Sequence, residues 1–190
     1  MTDLTIAVLA GTTREQRKSI YAAKLVAEVG ATFDGVEIIF VDPNDFHFAG
    51  DGNDPEGKDP KYTAITEQAD AFFIVTPEYN HSFPGSLKRM LDSELQNYVH
   101  KPVAFAGASS GQWGGVRAIE QLVVATREMG LVSTFTDMQF PKVQKLFNDQ
   151  GVLQDEAYRE YVRGAWIELI WMAQTLKWGR ENFANKHHKI

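Results

Sequence analysis

The feature that most constrains the fold of this chain is a regular alternation between short apolar runs and amphipathic helical segments. The apolar runs, rich in β-branched and aromatic residues as buried parallel strands are, cover residues 4–10, 36–41, 71–75, 103–106 and 131–135. Helical segments are predicted at residues 19–30, 62–69, 84 to about 95, 116–129 and from Asp155 onward. In the first of these, Ala22, Leu25, Val26 and Val29 have the i, i+3, i+4, i+7 spacing of one buried face.

This alternation predicts a parallel sheet with helices on both faces. Consecutive parallel strands need a crossover connection, and such crossovers are right-handed. The simplest closure of five strands is then the order 2-1-3-4-5. We predict an α/β, flavodoxin-like three-layer fold with a five-stranded parallel sheet. Because no linker or internal repeat interrupts the pattern, residues 1–190 are expected to form one domain.

Composition excludes several classes of function. The formal charge is −6 and no Lys/Arg cluster stands out, so a nucleic-acid surface is not expected. The absence of cysteine removes disulfides, thiolate catalysis and cysteine-ligated metals, and the histidines have no metal-ligand spacing. The N-terminus lacks a signal-like pattern, and the apolar run at residues 165–173 is short and contains Glu168. We therefore expect a soluble, cytoplasmic protein with no membrane contact and no metal.

The last helix carries more apolar surface than one face of a sheet can cover. One stripe consists of Tyr158, Tyr161, Val162, Ala165, Leu169, Met172, Ala173 and Leu176, and a second of Ile167, Ile170, Trp171 and Trp178. A helix that is apolar on two sides is usually buried twice. We expect a homo-oligomer to hide the second stripe. The alternative is that a local segment such as residues 142–153 folds across it.

The sharpest change of chemistry along the chain falls at residues 76–92. An apolar run ends there, and a short polar turn follows between Pro77 and Pro84, where the next helix begins. Ligands of open α/β sheets bind past the carboxyl ends of the strands. The turn is therefore a candidate binding site, and an ordinary loop is the alternative when the stretch is taken alone.

The loop after the first strand, residues 11–19, has the chemistry of an anion site. It offers two threonine hydroxyls, two guanidinium groups and the free amides of a helix N-terminus. These amides and the helix dipole attract a phosphate, which Arg14 can hold with two hydrogen bonds. The loop is neither a Walker loop nor a G-x-G-x-x-G fingerprint. In the alternative, purely structural interpretation, Thr12 caps the helix and the arginines are solvated.

The loop after the fourth strand, residues 108–115, contains three glycines, whose backbone can approach a flat ligand and bond heteroatoms at a ring edge. A phosphate group at the first loop, a ring edge here and an aromatic turn between them describe a mononucleotide lying across the strand ends. Flavin mononucleotide (FMN) fits better than ATP, because nothing in the sequence resembles a magnesium–phosphate apparatus.

Four stretches of the sequence also resemble a known family. They are Gly11-Thr-Thr-Arg14, the run PEYNHSFPGSLK at residues 77–88 with Asp92, Lys101-Pro102, and GGVRAIEQL at residues 114–122. From about Thr5 to Thr134 the chain resembles the NADPH-dependent FMN reductase family, which includes quinone, chromate and azo-dye reductases. The PEYN-x-S-x-PG-x-LK run is the most specific of these motifs.

The resemblance implies a flavodoxin-like fold, non-covalent FMN, and homodimers or homotetramers with interfaces beside the flavin. It also implies roles for residues at the matching positions. Those expected to hold the phosphate are Thr12, Arg14 and Ser19. Those expected to line the ribityl chain and the ring are Pro77, Glu78, Tyr79 and Asn80, and those expected to bond the pyrimidine edge are Ser109, Ser110, Gly111 and Gly114.

We predict an FMN-dependent NAD(P)H oxidoreductase that passes hydride from NADPH or NADH to quinones, free flavin or similar small acceptors. The cofactor carries the hydride chemistry, so no catalytic acid or base of the protein is predicted. Two alternatives stay open. One is a flavodoxin-like electron carrier that receives electrons only from a partner protein, and the other is a flavin-binding redox sensor.

Several residues near these loops have two interpretations each. Arg117 pairs either with a carboxylate near a subunit contact or with NADPH, and Trp113 either covers the flavin or anchors an interface. His81 either approaches the flavin or substrate or bonds the backbone. The loop at residues 42–60 is long enough to be functional or mobile, and its acidic side chains are expected to be solvated.

Overall fold

The computed structural model describes residues 4–188 and contains the predicted alternation of strands and helices. The elements are β1 (Leu4–Ala10), α1 (Ser19–Gly30), β2 (Val36–Val41), α2 (Pro60–Gln68), β3 (Ala71–Pro77), α3 (Gly85–Asp92), β4 (Pro102–Ala108), α4 (Val116–Glu128), β5 (Val132–Ser133), β6 (Met138–Phe140), α5 (Val143–Leu146) and α6 (Ala157–Asn182). None of the helices in the described part of the chain is both long and apolar enough to cross a membrane.

The sheet is parallel and has the strand order β2-β1-β3-β4-β5, which confirms the predicted 2-1-3-4-5 order. The short strand β6 also pairs with β4. Strands β1, β3 and β4 occupy the centre of the sheet and are buried almost throughout. Their carboxyl ends therefore lie side by side, and the loops that follow them begin at a common edge.

The fifth strand differs from the prediction because it is broken. Only Val132–Ser133 pairs with the start of β4, and the pairing resumes with Met138–Phe140 beside the end of β4. Between them the Thr134 hydroxyl donates to the Thr136 carbonyl, and Phe135 is 95% exposed. A side chain that bonds its own backbone in this way competes with the strand ladder, so the predicted strand at residues 131–135 is shortened.

Two apolar cores separate the three layers. Helices α1 and α6 pack on one face of the sheet and α2, α3 and α4 on the other. In β1, Ile6 and Val8 belong to the first core and Ala7 and Leu9 to the second, as the period of a strand requires. The largest buried side chain is Trp166 of α6, whose indole donates to the Val26 carbonyl at 2.9 Å.

The two apolar stripes predicted on α6 have different environments. In the first, Val162, Ala165, Leu169 and Ala173 are buried, whereas Tyr161 is 61% exposed. In the second, Ile170 packs partly against the core, but Ile167, Trp171 and Trp178 are exposed. Residues 142–153 do not cover them, because Leu146, Phe147 and Leu153 join the core formed with α1. The alternative of a local covering segment is therefore wrong.

The long loop at residues 42–60 is anchored to helix α3. The Arg89 guanidinium group donates to the carbonyl oxygens of Ala49, Gly52 and Gly57 at 2.5–2.9 Å. Three charge-assisted hydrogen bonds from one planar group fix the path of the backbone at three points. The loop is therefore fixed to α3. Its acidic residues Asp51, Asp54 and Glu56 are exposed, as expected, whereas Asp42 pairs with Arg17 and Asp59 accepts from the amides of His47 and Lys61, so these two carboxylates are not simply solvated.

Candidate active site

The loops after β1, β3 and β4 meet at the carboxyl edge of the sheet and enclose an open cavity of about 410 Å³. Seven of the predicted site residues line it: Arg14, Ser19, Pro77, Glu78, Tyr79, Ser109 and Ser110. Four others, Thr12, Asn80, Gly111 and Gly114, are not among its lining residues. The predicted meeting point of the three loops is thus present in the fold.

The first loop lies directly against the end of β3, and Gly11 makes this possible. The Gly11 amide donates to the Val75 carbonyl at 2.8 Å. A Cβ atom at residue 11 would lie 2.8 Å from the Thr76 Cα atom, closer than real contacts allow. A larger residue would therefore push the first loop away from the strand that leads into the polar turn.

One end of the cavity is suited to an anion. Helix α1 begins at Ser19 with no side-chain cap, so its first two amides remain available to a ligand, whereas the third, that of Tyr21, donates to the Lys18 carbonyl. The Ser19 side chain is nearly buried at this helix start. Within the described residues, the Arg14 side chain makes no hydrogen bond or ion pair, and it is exposed at the cavity. A phosphate would satisfy all three groups.

The second arginine of the first loop has a structural role. Arg17 donates to the Thr12 carbonyl at 3.0 Å and forms an ion pair with Asp42. Its side chain is only 12% exposed. Arg17 therefore closes the loop on itself and ties it to the end of β2, while Arg14 remains the available cation.

A tight turn connects the first loop to the middle of the site. Tyr79 and Ser82 exchange backbone hydrogen bonds of 2.8 and 3.0 Å, and Asn80 and His81 between them have φ values of 51° and 67°. Positive φ at both central residues is the geometry of a two-residue hairpin turn, which asparagine tolerates well. The turn presents the Tyr79 hydroxyl to Thr12 Oγ1 at 3.1 Å. His81 is exposed at its tip.

Glu78 is held in place but only half satisfied. Its amide donates to the Ala108 carbonyl at 3.0 Å, and its Oε1 atom accepts from the Arg117 guanidinium group at 2.7 Å. Arg117 thus pairs with a carboxylate, which was one of the two interpretations of this residue. The Glu78 side chain is only 7% exposed, and its buried Oε2 atom has no hydrogen-bond partner within the chain as described. A buried acceptor of this kind is costly unless a ligand donates to it.

The third loop is supported by the segment at residues 138–146, for which the sequence predicts no helix or strand. The Ser109 amide donates to the Phe140 carbonyl at 3.2 Å, and the Val143 amide donates to the Ser109 carbonyl at 3.0 Å. Gln144 Nε2 donates to the Ser110 carbonyl at 3.2 Å. Val143 and Gln144 also line the cavity, so β6 and α5 supply a wall that no sequence motif indicated.

The glycines of the third loop permit close packing beneath it. Gly114 and Gly115 have φ values of 60° and 86°, which favour glycine. A Cβ atom at Gly107 would lie 2.6 Å from the Gly114 carbonyl oxygen, and one at Gly114 would lie 2.7 Å from Gln139 Cβ. Gly114 therefore serves the fold of the loop against β4 and β6.

The site contains basic and hydroxyl groups but no metal-binding arrangement. Among residues 4–188, no group of three or more His, Asp or Glu side chains is placed to hold a metal ion. Lys18, at the rim of the cavity, pairs with Asp149 at 2.9 Å, and this hydrogen bond raises the pKa of the lysine. The arrangement offers groups suited to an anion at one end and backbone and carboxylate groups at the other.

Comparisons with known proteins agree with this geometry. The profile of the NADPH-dependent FMN reductase family matches residues 4–142. An NAD(P)H-dependent FMN reductase of Pseudomonas aeruginosa is 30% identical over 155 residues, which are 76% of this chain and 83% of that protein. A quinone reductase of Escherichia coli strain K12 is 42% identical over 140 residues, which are 61% of this chain and 72% of that protein.

The fold is also found among solved structures. The flavoenzyme NAD(P)H:(acceptor) oxidoreductase of Paracoccus denitrificans superposes with a TM-score of 0.73 and 22% identity. The superposition covers 90% of this chain and 98% of that structure. The family profile matches the chain across all three site loops, and a relative that is 30% identical covers 76% of it, so the chain belongs to the NADPH-dependent FMN reductase family.

Proposed function

We propose that this protein transfers electrons from NADPH or NADH to quinones, free flavin or similar small acceptors, with non-covalently bound FMN as the redox group. The observation that carries the proposal is the cavity in which three loops of a flavodoxin-like sheet converge. Relatives named as FMN and quinone reductases support a reductase over a pure electron carrier. When bound, FMN supplies the hydride-accepting and electron-donating chemistry, so the chain needs to bind and orient its reactants.

The residues present fit FMN at both ends. The amides at the start of α1, the Ser19 hydroxyl and the free Arg14 guanidinium group suit a terminal phosphate. At the other end, the unpaired Glu78 Oε2 atom and the loop at Ser109 and Ser110 suit polar atoms of the ribityl chain or the ring. Neither end alone identifies the ligand as FMN. Because the two ends belong to one cavity, one molecule of FMN can contact both.

We assign the supporting roles from the contacts of each side chain. Thr12 orients Tyr79 through the 3.1 Å hydrogen bond between their oxygens, and Tyr79 forms the aromatic wall between the two ends. Asn80 permits the tight turn that places Tyr79. Gly111 and Gly114 shape the third loop, whose amides are assigned to the pyrimidine edge, where they would favour additional negative charge.

The cavity is open to solvent on one side, which allows the two substrates to use the same face in turn. Stacking there would align the nicotinamide ring with the flavin. Correct alignment of the reacting atoms accounts for much of the rate of such a transfer. Glu78 is already engaged with Arg117, and we assign it no role in proton transfer.

We also propose that the protein is a homodimer or homotetramer with an interface beside the flavin. Trp113 in the third loop, Val124 on α4 and Phe135 in the broken fifth strand are apolar side chains that are 59%, 70% and 95% exposed. Burial by a second copy would remove this surface from water. The cytoplasmic location inferred from the sequence stays a prediction.

The proposal is tested by steady-state oxidation of NADPH and NADH by the FMN-loaded protein, with quinone, ferricyanide or free flavin as acceptor. We expect turnover that depends on added FMN. The Arg14→Ala variant should need more FMN to reach the same rate, whereas Lys24→Ala, which changes an exposed lysine of α1 outside the cavity lining, should behave like the natural protein. A protein that binds FMN but oxidises neither nucleotide with any of these acceptors would instead be an electron carrier or a sensor.

A further inference from the structure

The outer face of helix α6 is an exposed aromatic surface that the proposed reaction does not use. Ile167, Trp171 and Trp178 are 56%, 63% and 56% exposed, and they point away from the buried stripe of the same helix. We call this set of side chains, with Tyr161, the α6 seam. Two exposed tryptophans on one helix face are unusual for a surface that only contacts water.

Two glycines interrupt the same helix where nothing in the chain requires them. A Cβ atom at Gly164 or at Gly179 would have no neighbour within 4 Å. Glycine is the least helix-favouring residue after proline, so its presence in the interior of a helix calls for a packing reason. The absence of any neighbour places that reason outside the described part of this chain.

The positions of these glycines make the seam complementary to itself. Gly164, Trp171 and Trp178 follow each other at intervals of seven residues and therefore share one helix face. If two copies of α6 cross antiparallel at Trp171, residues equally far before and after it meet. Gly164 then lies opposite the partner's Trp178, and Gly179 lies close to the partner's Tyr161. Each glycine provides a recess for an aromatic ring.

We propose that α6 packs antiparallel against α6 of a second copy of this chain, with Trp171 on the twofold axis. Charge at the edge of the seam agrees with this arrangement. Arg163 lies eight residues before Trp171 and Glu181 ten residues after it, on the same side of the helix. The Arg163 guanidinium group lies over the Phe33 ring of its own chain at 4.5 Å, on the side of the helix where the partner's Glu181 would lie, and the twofold axis repeats this opposite-charge pair.

The area of the seam is adequate for a specific contact. Aromatic side chains bury about 150–250 Å² each. In the seam, Tyr161, Trp171 and Trp178 are each about three-fifths exposed. Phe183, which follows α6 and is exposed to the same extent, packs its ring on Trp178 at 5.1 Å and extends the seam. Together they offer roughly 500 Å² per copy, more than half of the roughly 800 Å² per partner of a standard interface. Ile167 and the charged edge add to this area.

This interface is separate from the one proposed beside the flavin. Helix α6 packs on one face of the sheet and α4 on the other, so the two surfaces lie on opposite layers. A chain that uses both forms a closed tetramer with two kinds of twofold contact. The α6 contact does not depend on the FMN site and can fail or hold independently of the proposed activity.

The test measures the mass of the full chain in solution across a range of concentrations. Trp171→Glu places a charge on the twofold axis and should halve the mass. Gly164→Leu should also halve it, although leucine favours the helix, because it fills the recess for the partner's Trp178. The control Val152→Glu changes another exposed apolar residue, 56% exposed and outside the seam, and should leave the mass unchanged. Circular dichroism and FMN binding of each variant confirm that it is folded.

The antiparallel direction has its own test, because the natural chain contains no cysteine. Glu168 and the partner's Thr175 come close only in an antiparallel pair, whereas within one helix they are about 10 Å apart along the axis. The double variant with cysteine at both positions should form covalent dimers on mild oxidation, and each single variant should not. The proposal is overturned if the natural chain is monomeric, if its mass is unaffected by Trp171→Glu and Gly164→Leu, or if the double variant forms no covalent dimer.

Discussion

The two edges of the sheet are both rich in charged residues, but their charges are used differently. At the amino edge, the Asp70 carboxylate accepts from Lys177 at 2.9 Å, from Arg180 at 3.2 Å and from the Thr5 amide at 3.1 Å. Lys101, which is only 8% exposed, donates to the backbone carbonyls of residues 66 and 67 at 2.7 and 3.1 Å. Every one of these ionic groups has a partner inside the chain.

At the carboxyl edge, several groups are incompletely satisfied. Arg14 has no side-chain partner within the described residues, Glu78 has one buried oxygen without a donor, and α1 begins without a side-chain cap. Both edges thus have buried or nearly buried polar groups. They differ in how many of these groups have a hydrogen-bond or ion-pair partner within the chain. We interpret the paired ionic groups of the amino edge as structural, and the incompletely satisfied groups that line the cavity as available to a ligand.

The largest effect of a substitution on stability is expected at the amino edge. Asp70→Ala leaves Lys177 and Arg180 without their buried acceptor and should lower the free energy of unfolding by about 3 kcal/mol, as the loss of one partner of a buried ion pair does. Urea denaturation measures this change. FMN affinity should be unaltered. A variant of normal stability with weakened FMN binding would reverse the roles assigned to the two edges.

A somewhat smaller effect, with the opposite pattern, is expected for Arg14→Ala. Loss of the free guanidinium group should weaken FMN binding roughly 30-fold, or about 2 kcal/mol, which is typical of a charge-assisted hydrogen bond. Fluorescence titration measures the affinity, and the midpoint of urea denaturation should not move. Riboflavin, which lacks the phosphate, provides the control because its affinity should be the same in both proteins. Equal losses for FMN and riboflavin would place Arg14 away from the phosphate.

The amino edge also predicts a dependence of stability on pH. Burial lowers the pKa of Lys101 to about 8. Because the unfolded chain holds this proton up to a pKa near 10.5, it binds more protons than the folded chain between these values, and stability rises with pH across that window. From pH 7.5 to about 9.2 the natural protein should gain about 1.5 kcal/mol relative to Lys101→Met. Parallel stability profiles of the two proteins would show that Lys101 titrates normally.

The smallest expected effect concerns the link between two site loops. Tyr79→Phe removes the hydroxyl that meets Thr12 Oγ1 at 3.1 Å and should weaken FMN binding about fivefold, near 1 kcal/mol, the usual net value of one neutral hydrogen bond. Thr12→Val should have a similar effect, and the double variant should be no worse than either single variant if the two hydroxyls act through each other. Fully additive losses would mean that each hydroxyl contacts the ligand independently.

Much of the fold could be predicted because local and global preferences agree. The central strands are continuous apolar runs, and right-handed crossovers leave few possible strand orders. The parts that were missed depend on contacts distant in sequence. Strand β6 exists because residues 138–140 find the end of β4, and Trp166 is the centre of one core because Gly30 leaves space for its ring.

The site could be predicted as a set of loops but not as a set of contacts. Family motifs identified the turn at residues 77–80, and its strand–turn–helix context gave its position in the sheet. The different roles of Arg14 and Arg17 could not be predicted, because they depend on Asp42, which contacts Arg17 only in the folded chain. Gln144 carries no motif, and it reaches the cavity because α5 follows the broken fifth strand.

The central claim is that the carboxyl edge of the sheet holds an FMN that NAD(P)H reduces. The most direct measurement is an anaerobic titration of the FMN-loaded protein with NADPH and with NADH, followed by the visible absorbance of the flavin. We expect the absorbance to bleach with at least one nucleotide at one equivalent per bound flavin, and a quinone then to restore it. A bound flavin that stays oxidised in the presence of both nucleotides would contradict the account.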